Sequence, residues 1–325
     1  MNLVQPVAPR LKILVTVLLL FLVIRSVEPA RLLNDLKNLQ PGKLMLIVGF
    51  YWLGQIVCAQ RWRLFASGLG MEGRYTRFLQ MYFVCMFFNT GLPSLIGGDA
   101  IKTYMISRSS GKPLRVGLAS VLQDRAAGYL TLIIYGSAAA LAYPLVWRNI
   151  PLTWVYAASW IGAILCLALV WKGDKLYAGL VKAGRNSLFQ KTLSWVADFH
   201  QALATMRLSR SAVVQVTTIS LFNSALVLWI YQQIALSAGQ NISLIAFSSL
   251  LPLITLLVMM PISLGGLGIR EWAYIEGLGL LGIPRSPALV IALTTSAVLI
   301  IGNLAGAFFL PAIPRELRRS QSAIQ

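Results

Sequence analysis

Apolar residues run together in eight stretches, near 11–27, 44–60, 78–92, 117–143, 152–171, 212–236, 243–260 and 287–310, and lysine and arginine gather in the gaps. About 20 apolar residues are what a helix needs to cross the hydrocarbon core of a bilayer. Each run predicts a spanning or half-spanning helix, so the chain reads as an all-α polytopic membrane protein without room for a separate soluble domain. The 325 residues form a single integral membrane domain: a first half of about 1–171, a connector of about 172–211 and a second half of about 212–325. The first run follows Arg10 and Lys12 as in a signal peptide. No small-x-small cleavage site follows near Arg25–Pro29, so it is read as an uncleaved helix.

The gaps sort by charge. Basic residues mark cytoplasmic loops. Arg61, Arg63, Arg74 and Arg77 place 61–77 on that side, and Lys102, Arg108, Lys112 and Arg115 place 102–115 there. The basic connector 172–211 and the tail, with Arg315, Arg318 and Arg319, join them. The loops near 144–151 and 237–242 face outward, as does 28–43 by alternation. Both termini are then cytoplasmic, in the inner membrane of a bacterial-type cell. Segment 78–109 begins and ends on one side, which predicts a re-entrant hairpin. Three crossings later, 243–280 makes a second hairpin from the opposite side. An odd number of crossings makes the two halves inverted. The connector, with Leu193, Val196, His200 and Leu203 at roughly helical spacing, predicts amphipathic helices at the interface or a plain solvated link.

Both hairpins carry the same phrase. Pro93-Ser-Leu-Ile-Gly97-Gly98-Asp99-Ala-Ile-Lys102 and Pro261-Ile-Ser-Leu-Gly265-Gly266-Leu-Gly268-Ile-Arg270 share Pro-x-x-x-Gly-Gly-x-x-Ile followed by a base. Paired Gly/Pro interruptions in two halves of a membrane chain point to a transporter's midplane site. Proline ends a helix, and glycine lets the backbone approach a ligand. A helix starting after each Gly-Gly would aim its positive end at an anion, with Lys102 or Arg270 one turn on. Gly-Gly also serves close helix packing.

Composition narrows the partners. Apolar residues make up 57% and charged residues 12%, against about 25% charged in soluble domains. The 28 Lys+Arg against 10 Asp+Glu are read as orientation and attraction to anionic lipid, not as a nucleic-acid surface. Cys58, Cys85 and Cys166 stand singly, so no zinc site or disulfide framework is expected. The single histidine, His200, reads as a solvated side chain, and no catalytic triad, metal set or cofactor is expected.

Four acids lie in or beside apolar runs: Asp99, Asp124, Glu271 and Glu276. A charge at the bilayer centre costs about 2.5–3.5 kcal/mol on insertion scales, so such residues seek partners. Asp124 and Arg125 are sequence neighbours and do not share a helix face. The expected pairs are Asp99 with Arg270 and Arg125 with Glu271; the alternative is that Asp124–Arg125 snorkels to the interface.

These residues carry a family resemblance. Phe88-Asn89-x-x-Leu-Pro93-x-x-x-Gly-Gly-Asp99 with Lys102, Gln123-Asp124-Arg125, and Pro261-x-Ser-x-Gly-Gly-x-Gly-x-Arg270-Glu271 resemble the signatures of the lysylphosphatidylglycerol synthase transmembrane-region family. The resemblance implies a flippase-like role, moving a lipid such as aminoacylated phosphatidylglycerol or a polyprenyl-phosphate-linked sugar across the cytoplasmic membrane. The family's soluble aminoacyl-transferase part has no counterpart in these residues.

The resulting expectation is a non-enzymatic translocator of an anionic or phosphate-bearing lipid. Its site would comprise Gly97, Gly98, Asp99, Lys102, Gly265, Gly266, Gly268, Arg270 and Glu271, backed by Asn89, Pro93, Asp124, Arg125 and Pro261. The alternatives are a lipid-modifying enzyme, or an accessory subunit beside a glycosyltransferase or lipid synthase.

Overall fold

The computed structural model describes residues 40–91, 96–183, 197, 199–259, 266 and 268–312. Nine α-helices fill most of these. They are α1 Pro41–Gly68, α2 Tyr75–Gly91, α3 Ile96–Ser110, α4 Leu114–Ala142, α5 Leu152–Ala183, α6 Arg210–Ser237, α7 Leu244–Met259, α8 Ile269–Gly279 and α9 Arg285–Leu304, and a 3-10 turn over Ala305–Ala312 extends the last. The only β structure among the described residues is a two-residue ladder, Val146–Trp147 against Ile150–Pro151, closed by Arg148 and Asn149 at positive φ. The predicted apolar runs 44–60 through 287–310 each fall on a helix. The run 11–27, Pro93, Pro261, Gly265 and the connector's residues 184–196 and 198 lie outside the described residues.

Local chemistry sets several helix ends. Pro41 opens α1, where its missing N–H costs nothing. Ser209 caps α6, its Oγ accepting from the Ala212 N–H at 3.1 Å. At α8 the Gly268 N–H donates to Glu271 Oε2 at 2.6 Å, the back-reaching half of a capping box.

Among the described residues α1, α4, α5, α6 and α9 are long and apolar enough to cross a membrane. The other four are short, with 17, 15, 16 and 11 residues in α2, α3, α7 and α8. At about 1.5 Å rise per residue they measure about 17–26 Å, less than the roughly 30 Å hydrocarbon core. They pack in two pairs, α2 with α3 and α7 with α8. The described residues thus read long helix, short pair, long helix, twice, with α5 between.

The packing is reciprocal. The long α4 lies on α7, and the long α9 lies on α2; α1 meets α9, α6 meets α4, and α1 meets α6. Each short pair has its own core. Trp62, Met71, Phe78, Met81, Val84 and Ile106 surround the first; Leu226, Phe247, Leu251, Tyr274, Leu278 and Leu289 surround the second. Between the halves Tyr51 Oη donates to Asn303 Oδ1 at 2.8 Å, and Thr131 Oγ1 meets Ser224 Oγ at 2.7 Å.

Three expectations are corrected. Arg61 does not sit in a loop. It lies within α1, on the face shared by Cys58, Trp62 and Phe65, and is 4% exposed. The stretch 172–183 continues α5 as helix. His200 is buried, not solvated: its Nε2 donates to the Val170 carbonyl at 2.7 Å and lies 3.1 Å from that of Leu169, docking the helical stretch 199–204 on α5.

Candidate functional site

A cavity of about 340 Å³ lies where the two halves meet. Its charged lining is Asp99 and Lys102 from α3, Arg125 from α4 and Arg270 from α8. Tyr51, Tyr82, Tyr129, Asn89, Ser296 and Asn303 add polar groups, and Leu299 with Ile300 form an apolar side. Ile300 on α9 and Thr90 on α2 are the exposed members of the lining.

The ion pairs differ from expectation. Asp99 pairs with Arg125 through two parallel hydrogen bonds, Nη2 to Oδ1 at 2.9 Å and Nε to Oδ2 at 3.0 Å. Asp99 was expected to meet Arg270, and Arg125 to meet Glu271. The reason is position. Asp99 lies in the first turn of α3, and α3 packs along α4, so Arg125 is the neighbouring base. Asp124, one residue back, faces away as the helix geometry requires and takes Arg61 Nε at 2.7 Å and Lys102 Nζ at 3.1 Å. It is 1% exposed and does not snorkel.

Lys102 therefore reaches the cavity from a fixed seat. Its Nζ sits 4.3 Å from the Trp62 ring centre and 4.1 Å from that of Tyr82, with Asp124 behind it. Cation–π contacts of this kind are worth about 0.5–2 kcal/mol, more when desolvated. Arg61 completes the group by donating from Nη1 to Ser220 Oγ on α6 at 3.2 Å. One carboxylate thus organises two cations and joins α4 to the long α1 and the short α3, with α6 held through Arg61.

On the other side Arg270 donates from Nη1 to Ser296 Oγ at 2.9 Å, and Ser296 in turn lies 3.3 Å from Glu271 Oε1. Glu271 itself is 1% exposed, caps α8, and is absent from the cavity wall. Its expected place in a binding site is corrected to that of a helix cap.

The glycines divide. Gly98 lies inside α3, which begins at Ile96, so the expected helix start after the first Gly-Gly is not found. Its N–H donates to Asn89 Oδ1 at 3.0 Å, and a Cβ there would collide with Asn89 Oδ1 and the Cys85 carbonyl. Gly98 is a close-approach residue between α2 and α3, while half-buried Gly97 is one turn position earlier. The second phrase behaves as expected: Gly266 and Gly268 both take φ +82°, a left-handed backbone, and α8 starts at Ile269.

Sequence reasoning missed Arg61, Tyr51, Tyr82, Tyr129, Ser296 and Asn303. For Arg61 a signal existed: it falls three residues after Cys58 and four before Phe65, on the apolar face of α1. For the others the sequence held no comparable mark.

A family model described as the lysylphosphatidylglycerol synthase TM region matches residues 10–306. The chain belongs to this family. The lysylphosphatidylglycerol synthase TM-region match takes in both short pairs and every charged residue of the cavity. A UPF0104 membrane protein of Methanothermobacter thermautotrophicus is 20% identical over 153 residues, covering 45% of this chain and 41% of that protein. The chain thus covers less than half of that relative's length.

Proposed function

We propose that this protein translocates an anionic, phosphate-bearing lipid across the cytoplasmic membrane without chemically changing it. One observation carries the reading: a cavity between two similar helix groups holds Lys102, Arg125 and Arg270 against a single lining carboxylate, Asp99. Charges this deep in a membrane chain mark substrate pathways. Arginine forks bind phosphate oxygens in pairs. The apolar side at Leu299 and Ile300 suits an acyl chain that stays in lipid while its headgroup enters.

On this reading α2–α3 and α7–α8 are re-entrant hairpins of two inverted halves. The spans α4, α5 and α6 separate them, and three crossings reverse the second hairpin. The reciprocal packing of α4 on α7 and α9 on α2 is what an internal two-fold relation would produce. The basic loops put both termini on the cytoplasmic side. The family name and the cavity agree with lipid handling, and the charged lining is in keeping with a transporter's substrate site.

The experiment uses the purified protein in liposomes carrying headgroup-labelled phosphatidylglycerol, with dithionite bleaching the outer leaflet. Rapid loss of the protected pool with wild type, abolished in Arg270→Ala, supports translocation through this cavity. Wild-type traces identical to protein-free liposomes, for phosphatidylglycerol and for polyprenyl phosphate, with and without a proton gradient, would sink it. They would leave the accessory-subunit reading, in which the protein positions a glycosyltransferase or lipid synthase.

A further inference from the structure

The two carboxylates that neutralise cavity cations are built differently. Asp124 is sealed: its side chain is 2% exposed, and its partners Arg61 and Lys102 are 5% and 4% exposed. Asp99 is open: its side chain is 19% exposed and that of Arg125 is 37% exposed. Both members of the open pair line the cavity, and neither member of the Arg61–Asp124 pair does.

The open pair also has a particular shape. Two parallel N–H···O bonds, at 2.9 and 3.0 Å, join the guanidinium fork to the carboxylate. This is the arrangement in which arginine binds two oxygens of a phosphate. An incoming phosphate and Asp99 therefore compete for the same two donors.

Asp99 can let go without losing all compensation. It sits in the first turn of α3, where the positive end of the helix dipole favours a carboxylate. Lys102 lies three residues on, on the same helix face, and carries three donors of which Asp124 takes one. A sealed pair such as Arg61–Asp124 has no such exit, because separating it strands two charges in an apolar core.

We propose that Asp99 is an internal stand-in for the substrate's phosphate: it holds the Arg125 fork until a lipid headgroup displaces it, and retakes the fork to expel the headgroup. The proposal rests on the lipid-translocation reading and adds a residue that sets both affinity and release. Without Asp99 the headgroup meets an uncontested arginine, binds more tightly and leaves more slowly. Affinity and rate then move in opposite directions, which a merely structural role for Asp99 would not produce.

The test measures two quantities on the full-length protein. Fluorescence anisotropy gives the affinity for headgroup-labelled phosphatidylglycerol in detergent micelles, and dithionite quenching gives leaflet exchange in liposomes. Asp99→Asn is expected to bind about tenfold tighter than wild type, the equivalent of about 1.4 kcal/mol, and to exchange lipid more slowly. Asp99→Glu, which keeps the competing charge, is expected to bind no tighter than wild type. Should Asp99→Asn fail to fold, Asp99→Ser takes its place, being smaller and equally unable to occupy the fork. An uncharged variant that binds no tighter than a wild type that does exchange lipid overturns the stand-in and leaves translocation standing. A wild type that neither binds nor exchanges the lipid overturns both.

Discussion

Neutralising Asp124 is the sharpest available probe of how this bundle holds together. In Asp124→Asn the side chain keeps its size, yet Arg61 and Lys102, 5% and 4% exposed, lose the carboxylate they share at 2.7 and 3.1 Å. Removing one partner from a buried ion pair costs about 3–5 kcal/mol, because the remaining charge is left unpaired. Two cations are stranded here, so the cost belongs at or above the upper end. Whole-domain stabilities are only about 5–15 kcal/mol, so the variant is expected to fold poorly. The companion change is Lys102→Met, which leaves Arg61–Asp124 as a matched pair and strands no charge, so it is expected to cost less than Asp124→Asn. SDS-titrated unfolding followed by tryptophan fluorescence compares them, and Trp62 beside Lys102 contributes to the signal. If Asp124→Asn costs less than Lys102→Met, the argument that one carboxylate organises α1, α3 and α4 is refuted.

Three further changes separate packing from site geometry. Gly98→Ala places a methyl against Asn89 Oδ1 and the Cys85 carbonyl; overpacking of this kind costs about 1–3 kcal/mol, checked by the same unfolding titration. Ser296→Ala removes the hydroxyl between Arg270 and Glu271, and lipid exchange is expected to fall several-fold while unfolding shifts by about 1–3 kcal/mol. His200→Ala loses the donor that ties the stretch 199–204 to the α5 carbonyls, and limited trypsin digestion should cut the connector faster than in wild type.

The sequence made the break points and the convergence legible, because both leave local marks. A chain that must stop short in a membrane shows it in Pro and Gly, and the short helices end and restart beside Pro93 and Pro261. Charges in apolar runs showed that Asp99, Arg125 and Arg270 needed interior partners, and the repeated phrase singled out Lys102; all four line one cavity. Who pairs with whom was not legible, since that depends on how α3 is rotated against α4. The rule that adjacent helical residues diverge separated Asp124 from Arg125 but named no partner for either. Arg61 was lost for another reason: sorting basic residues into loops assigns any arginine at the end of an apolar run to the surface. Glu271 was misplaced although its spacing from Gly268 is that of a residue capping its own helix.

The contrast between α5 and α8 dictates an order of assembly. In α5 the apolar window Leu152–Val170 is only 6% buried within the protein, so lipid itself is most of its surroundings. Such a helix can settle in the bilayer alone and early. The 11-residue α8 carries Arg270, Glu271 and Glu276 and is too short to cross. On its own no step of insertion would accept it. It can come to rest only once α9, against which it packs, and α7 have supplied walls and hydrogen-bond partners. The α8 and α9 side of the cavity is therefore absent until α9 has entered, and a nascent chain has no complete cavity before then.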